Sequence, residues 1–196
     1  MIRGMALCAG VAGLELGVGM ALQQLGLEYR CVCYVEREAY AAACLVARME
    51  DAVLDPALIW DDLTTFDGGQ WRGKVDLITA GFPCQPWSVA GSQRGTEDDR
   101  WLWPSIAAVV RDVEPRWVFL ENVPGLISGG LGPVLGDLAS LGFDAEWGCY
   151  RASEAGAPHR RERLFLLAWR VSDTDSDSLR SEQGREQSRR DRKSVV

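Results

Sequence analysis

A chain of 196 residues with 47% hydrophobic, 25% charged and 9% aromatic side chains is long enough for one domain that buries roughly 70% of its unfolded surface, and this composition excludes collagen-like, wholly disordered and coiled-coil polypeptides. The formal net charge of -7 argues against nonspecific nucleic-acid binding through bulk electrostatics, while local basic patches stay open. No apolar run reaches the roughly 18 residues of a membrane span, and no basic segment followed by an apolar stretch and a cleavage site opens the chain, so the cytoplasm is the expected compartment.

In chain order, apolar runs at 5–9, 31–35, 75–80, 117–120 and 164–169 predict buried strands. Longer stretches at 14–25, 39–49, 104–113 and 133–141 predict helices, the third opened by Pro104, which suits a first helical turn. Alternation of the two predicts an α/β fold with a parallel sheet flanked by helices. In such a sheet ligands bind at the carboxyl ends of the strands. After residue 171 the composition changes: residues 172–196 hold six acidic, six basic and six serine residues, with only Leu179, Val195 and Val196 as large apolar side chains. That tail is expected to be disordered. The folded unit, 1–171, therefore carries 22 acidic against 15 basic side chains. No period of 20 to 50 residues recurs.

The cysteines at 8, 31, 33, 44, 84 and 149 form no C-x-x-C pair, and His159 is the single histidine, so neither a metal site nor a disulfide framework is indicated. They read as reduced thiols, with Cys31 and Cys33 inside an apolar run and expected in the core.

The first strand runs into Ala9-Gly10-Val11-Ala12-Gly13, where glycine lets backbone approach a ligand. About twenty residues on, the second strand ends in Glu36, where a dinucleotide-type fold places a carboxylate on ribose hydroxyls. Two readings stand here, a tight turn with a surface glutamate or a nucleoside site. The absence of a full G-x-G-x-x-G favours a cofactor without phosphates. The third strand leads into Gly81-Phe82-Pro83-Cys84-Gln85-Pro86-Trp87-Ser88, which holds a cysteine rigidly between two prolines, as a nucleophile requires. The fourth ends in Glu121-Asn122-Val123-Pro124, bringing an acid to the neighbouring strand end. A Cys-His hydrolase is disfavoured, because His159 sits among arginines with no evident acid to orient it.

Leu7-Cys8-Ala9-Gly10-Val11-Ala12-Gly13, Gly81-Phe82-Pro83-Cys84-Gln85, Glu121-Asn122-Val123 and Arg161-Glu162-Arg163, in this order, resemble the successive motifs of DNA cytosine-5 methyltransferases. The resemblance spans nearly all of residues 5–170. It implies a Rossmann-like, S-adenosylmethionine-dependent fold with a mostly parallel sheet, and duplex DNA as substrate. Cys8, Ala9, Gly10, Val11, Gly13 and Leu14 would pass the methionine part of the cofactor, Glu36 would hold its ribose, Asp62 and Leu63 would flank its adenine, and Phe82, Pro83 and Trp87 would wall the pocket. Cys84 would add to carbon 6 of cytosine, creating an enamine whose carbon 5 accepts the methyl group. Glu121 would donate to ring nitrogen 3, and Arg161 and Arg163 would favour the thiolate and hold the ring carbonyl. Gln85, Ser88, Arg94 and Asn122 are the implied substrate contacts. The target base must be flipped out of the duplex, and residues 87–100 are the candidate lid.

Three positions depart from the family pattern: Cys8 stands where an aromatic residue is common, Ala12 replaces a frequent glycine, and His159 replaces a common glutamine. The family's target-recognition region and late motifs are not visible after residue 171. A truncated chain, a split enzyme completed by a second polypeptide, and a degenerate product all fit that reading, as does a bacterial or phage origin in restriction-modification. The rival functions are a cofactor-binding relic without turnover and a tRNA cytosine-5 methyltransferase.

Overall fold

The protein is described here from a computed structural model covering residues 1–83 and 101–171. Its sheet has seven strands in the order β3-β2-β1-β4-β5-β7-β6: β1 (Ile2–Leu7), β2 (Tyr29–Val35), β3 (Leu58–Trp60), β4 (Leu77–Gly81), β5 (Trp117–Asn122), β6 (Phe143–Arg151) and β7 (Glu162–Arg170). Four α-helices connect them: α1 (Gly13–Gln24), α2 (Ala39–Glu50), α3 (Trp103–Val113) and α4 (Leu131–Ser140). All five strands and four helices expected from the sequence are present, with ends shifted by no more than a few residues.

Two strands come in addition, and the mostly parallel sheet carries antiparallel pairs at one edge. The sheet is mixed, because β7 runs antiparallel to both β5 and β6. A parallel neighbour needs a crossover of a dozen or more residues. Between β6 and β7 lie only residues 152–161, holding one short 3-10 turn at Ala152–Ala155, so the chain has to double back. Strand β6, with Phe143, Ala145, Trp147 and Cys149 alternating with other residues, lies at the sheet edge and contains no apolar run. It carries a period of two instead.

Helices α3 and α4 cover one face. Trp103, Ile106, Val109, Val110 and Val113 of α3, with Leu131, Val134 and Leu138 of α4, pack on Met5, Leu7, Ile78, Val118 and Leu166. The Trp103 indole N–H donates to Asp137 of α4 at 2.8 Å. On the other face Leu45 of α2, with Leu16 of α1 beside it, packs on Ala6, Cys31 and Tyr34. Cys31 and Cys33 are both buried, as expected, but on opposite faces. Gly4 pairs with Cys31 and Met5 with Cys33, so the extra residue Val32 makes a bulge that breaks the alternation.

Candidate active site

Residues from the ends of β1, β2, β3 and β4 converge on a cleft of about 850 Å³ lined by Cys8, Gly10, Glu36, Arg37, Glu38, Tyr40, Asp62, Leu63, Thr64, Gly81 and Pro83, among others. The turn between β1 and α1 is built from left-handed residues: Cys8 at φ 53°, Gly10 at φ 55° and Ala12 at φ 62°. The reversal at Cys8 ends β1 two residues before the expected position. Nothing lies within 4 Å of where a Cβ on Gly10 would project, which leaves open space over the backbone. Ala9 donates its N–H to the Val35 carbonyl at 3.2 Å, tying the turn to β2. Val11 is exposed and its carbonyl accepts from Arg48 of α2. Gly13 and Leu14 open α1.

Glu36 is 8% exposed. Its carboxylate accepts the Gly10 N–H at 2.6 Å and the Glu38 N–H at 2.7 Å. Each oxygen serves one backbone donor, and the remaining lone pairs are free for hydroxyl donors. The surface-glutamate reading is thereby set aside, because this carboxylate is sunk in the cleft wall. Asp62 accepts the Thr64 hydroxyl at 2.7 Å and the Thr64 N–H at 2.8 Å, capping the 3-10 turn Leu63–Thr65; these bonds, the hydroxyl's first, hold its carboxyl below the usual range. Leu63 is buried beside it.

The donor set suits a nucleoside cofactor without phosphates. Three carboxylates, Glu36, Glu38 and Asp62, face one guanidinium, Arg37. That balance favours a cation such as a sulfonium and repels a polyphosphate. The Cys8 thiol is pushed up to about 12 by burial and by Glu36, so it stays protonated and unreactive.

Beside this cleft, Gly81 of β4 lies opposite Glu121 of β5 in the parallel register. Glu121 Oε1 accepts from Arg163 Nε of β7 at 2.8 Å, and each side chain is 25% exposed. Glu121 Oε2 lies on the β4 side, 3.5 Å from where a Cβ on Gly81 would sit. Arg163 also donates to the Glu162 carbonyl at 2.8 Å. Arg161 is exposed, two residues before Arg163, and its carbonyl accepts from Ala152. Glu121 and Arg163 are therefore brought together, and Arg161 does not share in their ion pair. His159 is exposed, and its Nδ1 accepts the Arg161 N–H at 3.4 Å.

Asn122 is 3% exposed. Its amide donates to the Phe82 carbonyl at 3.1 Å and accepts the Val123 N–H at 2.8 Å, so it laces β5 to the segment that leaves β4. Phe82 is buried against Trp101 and Trp103, with ring centroids at 5.7 and 6.1 Å. The cleft wall at this point is Pro83. Cys84, Gln85, Trp87, Ser88, Arg94 and the candidate lid lie outside the described residues.

Several contributors, Arg37, Glu38 and Thr64 of the cleft wall among them, escaped the sequence reading. Tyr40 lines the cleft from the first turn of α2. Gly81 faces Glu121. Glu15 is 3% exposed inside the domain, and an acid in the first turn of a helix reads from sequence as a surface residue.

Similarity to known proteins agrees with this geometry. The sequence model of the family described as C-5 cytosine-specific DNA methylase matches residues 2–195. The type II methyltransferase M.PspPI of Psychrobacter sp. (strain TA137) is 38% identical over 171 residues, covering 84% of this chain and 39% of that protein. The type II methyltransferase M.CviJI of Paramecium bursaria Chlorella virus IL3A is 33% identical, covering 86% of this chain and 43% of its own length. A crystal structure of a Spodoptera frugiperda DNMT2 mutant superposes with a TM-score of 0.68 at 19% identity, covering 89% of this chain and 51% of that one; at that identity it speaks for the fold. The chain spans about two fifths of the length of the curated relatives it matches.

Proposed function

The chain belongs to the C-5 cytosine-specific DNA methylase family, and from that premise we propose that residues 1–171 form the cofactor-binding and catalytic unit of a DNA cytosine-5 methyltransferase. The observation that carries the reading is the Glu121–Arg163 pair at 2.8 Å, set at the end of β5 beside the strand that leads through Gly81 and Pro83 to Cys84.

S-adenosylmethionine, when bound, supplies an electrophilic methyl group. The chain's own residues do the rest. Glu36 accepts the ribose hydroxyls with the lone pairs that its two backbone donors leave free. Asp62 and Leu63 flank the adenine, and the left-handed turn at 8–12 keeps side chains away from the methionine part. The Cys84 thiolate bonds to carbon 6 of a flipped-out cytosine, breaking the 5,6 double bond. A proton carried on Glu121 Oε2 passes to nitrogen 3, so that the negative charge pushed into the ring is neutralised as it forms. Arg163 fixes the rotamer of Glu121 through Oε1 and leaves Oε2 for the base. Loss of the carbon 5 proton after methylation reforms the double bond and expels Cys84. Arg161, whose side chain is exposed, contacts the substrate together with Gln85, Ser88 and Arg94.

Phosphate contacts dominate affinity for DNA, and an acidic unit supplies few of them. A target-recognising portion, on this polypeptide or on a second one, provides the basic surface and the sequence specificity. Transfer of labelled methyl from S-adenosylmethionine to duplex DNA, with and without co-expressed neighbouring gene products, tests the proposal. Cys84→Ser should abolish both transfer and covalent trapping on 5-fluorocytosine DNA. Unchanged turnover by that variant would remove the mechanism, and label appearing in tRNA but not in DNA would redirect it.

A further inference from the structure

Helix α1 carries one carboxyl into the interior. Glu15 Oε1 lies 2.7 Å from the Thr79 hydroxyl on β4, and that hydroxyl lies 3.3 Å from the Met5 carbonyl on β1. The other oxygen, Oε2, is buried with no hydrogen-bond partner. Among the described residues no cationic side chain pairs with Glu15.

A hydroxyl owns one hydrogen. Were Glu15 ionised, the Thr79 hydroxyl could donate to only one of the two acceptors it faces, Glu15 Oε1 and the Met5 carbonyl, while a charged oxygen would sit buried without a donor, an arrangement of high cost. A proton on Oε1 serves both contacts of Thr79 and leaves no charge on Oε2. Glu15 then donates to Thr79 Oγ1, Thr79 donates to the Met5 carbonyl, and Oε2 becomes an uncharged carbonyl oxygen.

We propose that Glu15 is a positioning residue held as a neutral acid, and that the relay from Glu15 through Thr79 to Met5 clamps α1 onto β1 and β4. Glu15 follows the left-handed turn at Ala12 by three residues, and Thr79 precedes Gly81 by two. The clamp therefore sets the turn that borders the cleft against the strand that leads to Cys84. The service it performs rests on the proposed function; the protonation state does not.

The groups facing Glu15 do not confuse its titration. Tyr29, Cys31 and Tyr34 of β2 are all pushed up by burial, Cys31 to about 12. Glu28, Arg30 and Asp55 are exposed and, with Glu15, line a separate cavity of about 690 Å³; they are common to every variant. Burial raises the Glu15 carboxyl above its ordinary 4.5. The folded protein then binds a proton that the unfolded chain has released, so stability falls as pH rises from 4.5 to the folded value and is level beyond it.

Glu15→Gln keeps a donor to Thr79 and cannot ionise. Urea unfolding at pH 4 to 8 should give it the parent's midpoint at pH 4 and a higher midpoint at pH 8. A midpoint below the parent's at pH 8, equal to that of Glu15→Ala, would overturn the neutral acid. Hydrogen exchange of the amides at 9–13, read under conditions where each variant is folded, tests the clamp. Glu15→Ala and Thr79→Val should speed it tenfold or more, and Glu15→Gln and Thr79→Ser should restore the parent's rate. Unchanged exchange in the two disrupting variants would overturn the positioning role. Titration of the parent with S-adenosylmethionine tests the functional reading separately, since neither measurement above requires bound cofactor.

Discussion

Replacing Glu36 by alanine removes the acceptor of two short hydrogen bonds, 2.6 Å from Gly10 and 2.7 Å from Glu38, and with it the proposed ribose acceptor. A hydrogen bond to a charged group contributes about 1.5–3 kcal/mol. The freed Gly10 and Glu38 amides border the cleft and are taken up by water, so the expected loss of folding stability is about 1–3 kcal/mol. Two ribose hydroxyls losing one charged acceptor should weaken S-adenosylmethionine by about 3–4 kcal/mol, roughly 100- to 1,000-fold in Kd. Glu36→Gln should be almost as damaging, because its NH2 must point at one of the two backbone donors. Titration calorimetry with S-adenosylmethionine reads the change, and an analogue lacking the ribose hydroxyls completes the cycle: the parent should discriminate against it, and Glu36→Ala should not. A folded Glu36→Ala protein whose Kd lies within threefold of the parent's would refute the ribose assignment.

Arg163→Ala should free the Glu121 rotamer, lowering methyl transfer at least 100-fold (about 2.7 kcal/mol) while leaving cofactor affinity within a few fold; equal losses in both would place Arg163 elsewhere in the reaction. Asn122→Ala strands the Phe82 carbonyl and the Val123 N–H, at a cost of about 2 kcal/mol and a fall of roughly 4–8 °C in Tm, which thermal unfolding would show. Ala12→Val puts a β-branched residue at φ 62° in a fully buried site and should cost about 3 kcal/mol or more, whereas Ala12→Gly trades about 1 kcal/mol of backbone relief against about 0.8 kcal/mol of lost methyl burial and should stay close to the parent. Arg3 holds the Asp76 carboxyl below its ordinary 3.8 through bonds near 3.0 Å. The stability this contributes is present above pH 3.8 and is lost as pH falls through the lower, folded value. Because the pair is partly exposed, Asp76→Asn should cost only about 0.5–1 kcal/mol at pH 7, shrinking towards pH 2; a cost independent of pH would mean that charge is not the cause.

Short-range chemistry made much of this protein legible from the chain. Apolar runs located five strands because strands in the body of the sheet carry few polar side chains, and the glycine turn, Glu36 and Glu121 could be placed at one edge because loops after strand ends collect there in an α/β sheet. The direction of β7 was not legible. It follows from the ten-residue link to β6, an edge strand whose period-two pattern is too faint to stand out against a helix-rich neighbourhood. The opposite facing of Cys31 and Cys33 depends on a bulge, which is a property of two paired strands rather than of either alone. Likewise Arg161 and Arg163 look equivalent in sequence, and only the β5–β7 register gives one of them Glu121. Glu15 is the clearest case: its burial, its lack of a cation among the described residues and its bond to Thr79 arise from α1 lying across β1 and β4, with partners 10 and 64 residues away. Residue type and local period decide which elements form, while burial and the charge state of an acid depend on what the rest of the chain brings beside it.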